Sequence, residues 1–306
     1  MKHEETPSRL WLGILISLVS YLFFITASSL VWSFRGSFPV VQILFVQNVV
    51  SFICLLPLLF KRFPGLVTQE FPSHLVRDLS GVLSYYLYFV AIRFLNLVDA
   101  TVLNYTAPFF VPLFWLLWMK ERVGKNVWWS IVIGFIGVSV VLNPTKEIFK
   151  LGFVLGVFAG VLSAIAFCAI RVLHLKKEPT RRILFYYFAS GAVLSFPFAM
   201  IYWVNPDAEQ WIKMIGIGVA TVSGQILLTI AYRYGTASYL SPLGYSTVIY
   251  AGLVSYFLFD HSFTWRTIVG GALIVIGGSA TYLLKKRPRH LSDTFKTPDP
   301  KEKPPL

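Results

Sequence analysis

Ten times along this chain, apolar residues run on for long enough to cross a lipid bilayer, which takes about 17 to 25 residues of helix. The runs are Leu10 to Trp32, Phe38 to Phe60, Leu79 to Leu97, Ala100 to Met119, Val127 to Asn143, Leu151 to Leu175, Ile183 to Val204, Met214 to Tyr234, Ala237 to Phe259 and Trp265 to Leu284. In hydrocarbon every backbone N–H and C=O must be satisfied within the protein, so such runs are helices. The composition agrees: 56% of the residues are hydrophobic and 13% charged, against about 25% charged in soluble domains. Short connections make this one polytopic all-α integral membrane protein. The first run, at 23 residues, is longer than the 7 to 15 residue core of a signal peptide, and no small-residue cleavage site follows it.

A net charge of +13 on a soluble protein would suggest nucleic acid, but here the distribution of cations between loops carries the information. Alternate connections place 19 of the 27 Lys and Arg on the side of the termini: Lys2, Arg9, Lys61, Arg62, Arg77, Lys120, Arg122, Lys125, Lys176, Lys177, Arg181, Arg182 and seven from Lys285 onward. The other side receives five: Arg35, Lys146, Lys150, Lys213 and Arg266. Both termini are therefore expected in the cytoplasm. The tail from residue 285 to 306 is basic, polar and proline-rich, the composition of a disordered segment.

Three arginines, Arg93, Arg171 and Arg233, are left inside or at the ends of runs. Two of them stand in a repeated word, "AIRF" at Ala91 and "AYRY" at Ala231, 140 residues apart. At the same offset Gly137 matches Gly277, and at 139 residues the Leu12-Gly13 pair matches Leu151-Gly152 and Glu121 matches Asp260. This reads as two five-helix units, residues 10–144 and 145–284, between a cytoplasmic N-terminus (1–9) and the tail. Five is odd, so the second unit enters the membrane inverted. Inverted repeats are a common architecture of secondary transporters, with the substrate site between the repeats near the midplane. Arg93 and Arg233 are then symmetry mates at opposite mouths.

Four stretches carry a resemblance to a known family. "ATVLNYTAPFFVPLFWLLWMKERVGKNVWWSIVIGFIGVSVVLNP", from Ala100 to Pro144, resembles the fourth and fifth helices of the EamA family in the drug/metabolite transporter superfamily. "FVQNVVSFICLLPLLF" resembles its second helix, "AYRYGTASYLSPLGYSTVIYAGLVSYFLFD" its ninth and "GGALIVIGGSATYLL" its tenth. The resemblance spans all ten helices and implies a carrier of amino acids or other small metabolites in a bacterial inner membrane. Its look is nearest to the S-adenosylmethionine uptake subgroup. Where many relatives carry an arginine in the second helix this chain has Gln47, and where they carry a terminal glutamate in the ninth it has Asp260.

Candidate site residues follow from the cost of polarity in lipid. An intramembrane arginine faces a cavity or snorkels to the head groups, so Arg93, near Asn96 and Asp99, is either a substrate contact or an anchor paired with Asp99. Arg233 has the same two readings, and for Arg171 snorkelling is the favoured one. Pro108 and Pro112 in the fourth run and Pro242 in the ninth interrupt corresponding helices, each freeing a carbonyl about one turn earlier. Interrupted helices in matching positions point to a transporter's site. Asn104 and Tyr105 beside one break, and Tyr245 beside the other, either bind substrate or repair the freed backbone. Gln225 in the eighth run shares a helical face with Leu228, Thr229 and Tyr232, and Tyr85 and Tyr88 in the third run stand opposite. Gln47 is a bond between helices or a pore-lining group. Gly152, Gly156 and Gly160 form a close-packing ridge, used within the monomer or in a homodimer.

Cys54 and Cys168 support neither a disulfide framework nor a metal motif, and no cofactor or metal is expected. No Asp or Glu falls in the middle of a run, and all five histidines fall at ends or in loops. That disfavours a membrane-embedded enzyme, which needs clustered ligands or general acids. It also favours a facilitator or exchanger over a proton-coupled carrier. The tyrosine faces suit an aromatic, nucleobase or sulfonium group and the arginines a carboxylate. The expected cargo is a small zwitterionic metabolite such as an amino acid or S-adenosylmethionine; an exporter of drugs or other metabolites and an accessory subunit are the alternatives.

Overall fold

The computed structural model describes residues 7–34, 36–61, 65, 67–119, 129, 132–134, 136–137, 139–140, 151–235, 240–259 and 265–283. Its elements are α1 (Pro7–Ser33), α2 (Val40–Lys61), α3 (Phe71–Phe94), α4 (Leu97–Asn104), α5 (Ala107–Met119), α6 (Leu151–Leu175), α7 (Thr180–Ile201), α8 (Ala208–Tyr234), a 3-10 turn (Ser241–Tyr245), α9 (Ser246–Phe259) and α10 (Trp265–Leu283). Among the described residues seven spans are long and apolar enough to cross a membrane, and two apolar helices, Leu243–Val254 and Ile268–Gly277, are shorter. Most of the fifth expected span, Val127 to Asn143, lies outside the described residues, as do Glu121, Asp260 and the tail.

Local chemistry sets the boundaries. The Asp207 side chain accepts from the Gln210 amide while Gln210 reaches back to the Asp207 amide, a reciprocal cap that starts α8. Asn96 caps α4 by accepting from the Asp99 amide at 2.8 Å. Pro72 stands in the first turn of α3, where a missing N–H costs nothing.

That last boundary corrects the sequence reading. The third helix begins at Phe71 rather than Leu79, so His74, Arg77 and Asp78 are helical residues, and all three are buried. Arg77 is not a loop cation, and a buried acid does lie within a span; His74, though at a helix end, is buried. The polar stretch from Ser73 to Ser80 broke the apolar run, yet its polar side chains turn into the bundle and leave Leu75, Val76 and Leu79 exposed, as a lipid-facing surface requires.

Two helix pairs, α1 with α8 and α3 with α6, pack antiparallel across the chain. Gly13 near the start of α1 lies against Tyr234 at the end of α8, and Gly152 at the start of α6 against Phe94 at the end of α3. The Ser20 hydroxyl donates to the Gly224 carbonyl at 3.0 Å, tying α1 to α8, and Ser51 donates to Gly218 at 2.8 Å, tying α2 to α8. The Gly152, Gly156 and Gly160 ridge is covered within the chain by Phe94, Leu103 and Thr106. The helix ends therefore sort into two groups. Lys176 after α6 meets Glu70 before α3 at 2.5 Å, and Arg171 of α6 donates to the Tyr232 carbonyl of α8 at 3.0 Å. Arg233 stands at that end and Arg93 at the other.

Candidate functional site

The fourth and ninth spans each depart from regular α-helix. The fourth span breaks into α4 and α5 at Tyr105 and Thr106, where the Thr106 hydroxyl takes up the Leu103 carbonyl at 2.8 Å. Pro108 falls in the first turn of α5 and Pro112 lies inside it. Among its described residues the ninth span contains the 3-10 turn that holds Pro242, and Thr247 donates to the Gly244 carbonyl there. The two breaks meet: Gly244 lies against the Tyr105 ring, which packs edge-on to Tyr21 at 5.8 Å. On the other side of the first break a methyl group at Gly160 would sit 2.9 Å from the Leu103 carbonyl and 3.0 Å from that of Asn104. Only a residue without a side chain lets α6 come this close to the broken backbone.

A cavity with about 390 Å³ of atom-free space, its open side included, lies at the level of the α4–α5 break. It is lined by Phe24, Ser84, Tyr85, Tyr88, Asn104, Tyr105, Ser163, Phe167, Gln225 and Leu228. Five residues named from sequence are thus brought together: Tyr85, Tyr88, Asn104, Tyr105 and Gln225. The Tyr88 hydroxyl is 3.0 Å from that of Thr101, and the Ser84 hydroxyl donates to the Ala159 carbonyl at 2.8 Å while lying 2.7 Å from the Ser163 hydroxyl. The Ser84 and Ser163 hydroxyls escaped sequence reasoning, although Ser84 sits one residue from Tyr85.

The other four candidates lie elsewhere. Tyr245 is buried against Phe109, ring centroids 5.9 Å apart. Gln47 is buried with neither amide atom hydrogen-bonded. Arg93 is partly exposed in the last turn of α3, and Arg233 is exposed at the end of α8. The expected Arg93–Asp99 pair does not form, since the Asp99 carboxylate accepts from Asn96 at 2.8 Å. Arg171 is held by the Tyr232 carbonyl rather than simply reaching for the surface.

The cation that does come near the cavity is Arg77, 1% exposed. Its Nη2 donates to Gln225 Oε1 at 3.0 Å, and its guanidinium carbon lies 3.4 Å from the centroid of the Tyr187 ring. Residues 77, 81, 84, 85 and 88 share one face of α3. That spacing was the available signal, masked because Arg77 was assigned to a loop.

Beyond Arg77, toward the nearer end of the bundle, lies a polar cluster. Glu178, between α6 and α7, accepts from Arg182 Nη1 at 3.2 and 3.0 Å and from the Thr68 hydroxyl at 2.6 Å, and His74 Nε2 is 3.5 Å from it. Burial pulls its carboxyl upward, but the Thr68 hydroxyl and the Arg182 charge outweigh that and hold it below the ordinary carboxylate range.

Comparison with known proteins fits this architecture. The model of the EamA-like transporter family matches residues 10–143 and again 150–283. A pseudopaline exporter of Pseudomonas aeruginosa is 28% identical, covering 90% of this chain and 97% of the relative. A riboflavin transporter of Vibrio cholerae is 26% identical over 90% of this chain and 93% of its own. An S-adenosylmethionine uptake transporter of Rickettsia felis is 26% identical over 77% and 80%. A solved crystal structure shares the fold with a TM-score of 0.74, at 19% identity, covering 90% of this chain and 98% of that one. With its apolar helices and two matched segments, this multi-pass membrane protein belongs to the EamA-like transporter family.

Proposed function

We propose that the protein is a secondary transporter of the bacterial inner membrane, built as two inverted five-helix repeats with both termini in the cytoplasm. It moves a small zwitterionic metabolite, an amino acid or a compound like S-adenosylmethionine, by alternating access. The cavity carries this reading: it lies beside two interrupted helices and combines aromatic faces with amide and hydroxyl groups, the mixture by which small-molecule sites orient their ligands. The helix pairing supports the repeats. α1 lies along α8 as α6 lies along α3, α2 packs on α7, and these relations persist when the helices of one half are exchanged with those of the other. The relatives are named for three different compounds, and for both export and uptake, so the cargo is argued from the cavity.

Facilitation or exchange remains the proposed mode, with Asp78 the group that challenges it, since it is a buried acid within α3. Purified protein in liposomes loaded with unlabelled S-adenosylmethionine or amino acids should draw in the labelled compound without an imposed proton gradient. Tyr105→Ala, which strips one wall of the cavity, should abolish that counterflow. Counterflow indifferent to this change would move the site elsewhere, and strict dependence on a proton gradient would assign Asp78 a coupling role.

A further inference from the structure

The geometry points to Arg77 as the group that receives a substrate's carboxylate, at the end of the cavity nearest the Glu178 cluster. This deepens the transport reading above and rests on it. Four observations converge. Arg77 belongs to the face of α3 whose next members, Ser84, Tyr85 and Tyr88, line the cavity. Its side chain runs toward them: a methyl group placed at Gly81, one turn on, would sit 3.0 Å from Arg77 Nη1 and 2.9 Å from the Tyr187 ring. Glycine at 81 is what makes room for the guanidinium beside that ring. The tie between Arg77 and the cavity is then direct, since its acceptor Gln225 is itself a lining residue.

The fourth observation concerns what the cation lacks. Within the described residues no carboxylate lies within ion-pairing distance of Arg77, and its Nε–H has no acceptor. The adjacent Asp78 carboxylate feels the Arg77 charge but makes no ion-pair contact with it. A guanidinium carries five N–H groups in a fork that matches a carboxylate, and a charge removed from water needs a compensating partner. Here its direct contacts are an aromatic face and one neutral amide oxygen, with the Asp78 charge beyond ion-pairing distance. Stacking on Tyr187 covers the flat side of the guanidinium and leaves its edge for hydrogen bonds. A carboxylate entering the cavity replaces the Gln225 oxygen on that edge, and the released amide is then free to bind the substrate's remaining polar groups. The ligand class is a small metabolite that presents a carboxylate at this end of the cavity and an apolar or aromatic portion to Tyr85, Tyr88 and Tyr105.

The test compares matched probes on purified full-length protein: S-adenosylmethionine against its decarboxylated form, and each of the twenty free amino acids against its amide. Thermal stabilisation reads binding, because a ligand of the native state raises the melting temperature. At least one carboxylate is expected to stabilise more than its carboxylate-free partner. Arg77→Gln should erase that difference, and Arg77→Lys, which keeps the charge without the fork, should weaken the carboxylate by roughly ten- to hundred-fold. Equal stabilisation by both members of every pair overturns the assignment, as does a preference that survives in Arg77→Gln, or no stabilisation by any carboxylate in the set. The wild-type comparison decides the matter even if a variant misfolds. A carboxylate preference in protein that shows no counterflow would instead leave the anion site standing and remove the transport reading.

Discussion

The two ends of the bundle use their charges differently. At the end shared by the start of α3 and the α6–α7 connection, charges tie segments distant in sequence: Glu70 to Lys176, Thr68 to Glu178, and Arg182, itself paired locally with Glu178, to the Gly65 carbonyl at 3.0 Å. At the end marked by Arg93, polar groups mostly cap their own helices, Asn96 with Asp99 and Asp207 with Gln210. The cross-connection there is neutral, a pair of bonds between the Gln42 amide and the Val204 backbone at 2.6 and 3.0 Å. Under the expected orientation the ionic end is cytoplasmic. On the proposed alternating-access reading, charges that staple the two repeats together would hold that end shut, whereas charges that cap single helices would leave their end free to part.

Glu178 is the place to break the contrast. Removing it takes the carboxylate away from His74 and from Arg182, so Glu178→Ala should cost about 3 kcal/mol, the range for one partner lost from a buried pair, read as a lowered unfolding midpoint. Its pH dependence has a definite sign. A carboxyl depressed by folding adds stability above its unfolded pKa of about 4.3 and loses it as pH falls through the folded value. The midpoint gap between wild type and Glu178→Gln should therefore be wide at neutral pH and close as pH drops below about 4. A gap that widens in acid would mean that burial, not Thr68 and Arg182, dominates the group.

At the opposite end the largest single loss should be smaller. Asn96→Ala removes a helix cap and should cost about 1 kcal/mol, unfolding α4 locally without loosening the ionic end, as hydrogen exchange of each segment would show. Smaller again is Lys176→Gln: its ion pair with Glu70 is partly exposed, so a few tenths of a kcal/mol, vanishing in high salt, is expected. A larger effect would make that contact part of the staple rather than its rim.

The contrast also explains what the sequence disclosed. Tyr85, Tyr88, Asn104, Tyr105 and Gln225 were legible because each is a polar or amphipathic group inside an unmistakable apolar run, at helical spacing or beside a proline. Arg77, His74 and Asp78 were not, because three polar residues within five positions end an apolar run by composition while a helix continues through them. Their spacing with Gly81 and Ser84 puts them on one face of a helix, but only the packing of α7 and α8 shows that this face is inward. The weight on Arg93 and Arg233 has a different source. Both sit in a repeated word, and repetition reports shared geometry at helix ends as readily as a shared site.

If the ionic end is the closed one, the cavity must be reached from the Arg93 end in this state and from the other end once the staple is cut. The direct measurement places a cysteine at Ser163 in a background with Cys54 and Cys168 replaced by alanine, and labels it in sealed vesicles with a membrane-impermeant thiol reagent applied to one side at a time. The account expects labelling from the Arg93 side in the otherwise intact protein, and a marked shift toward the opposite side when Glu178 is also changed to alanine. Labelling from neither side, or from the same side in both proteins, would contradict a cavity that opens alternately and whose access is governed by the ionic end.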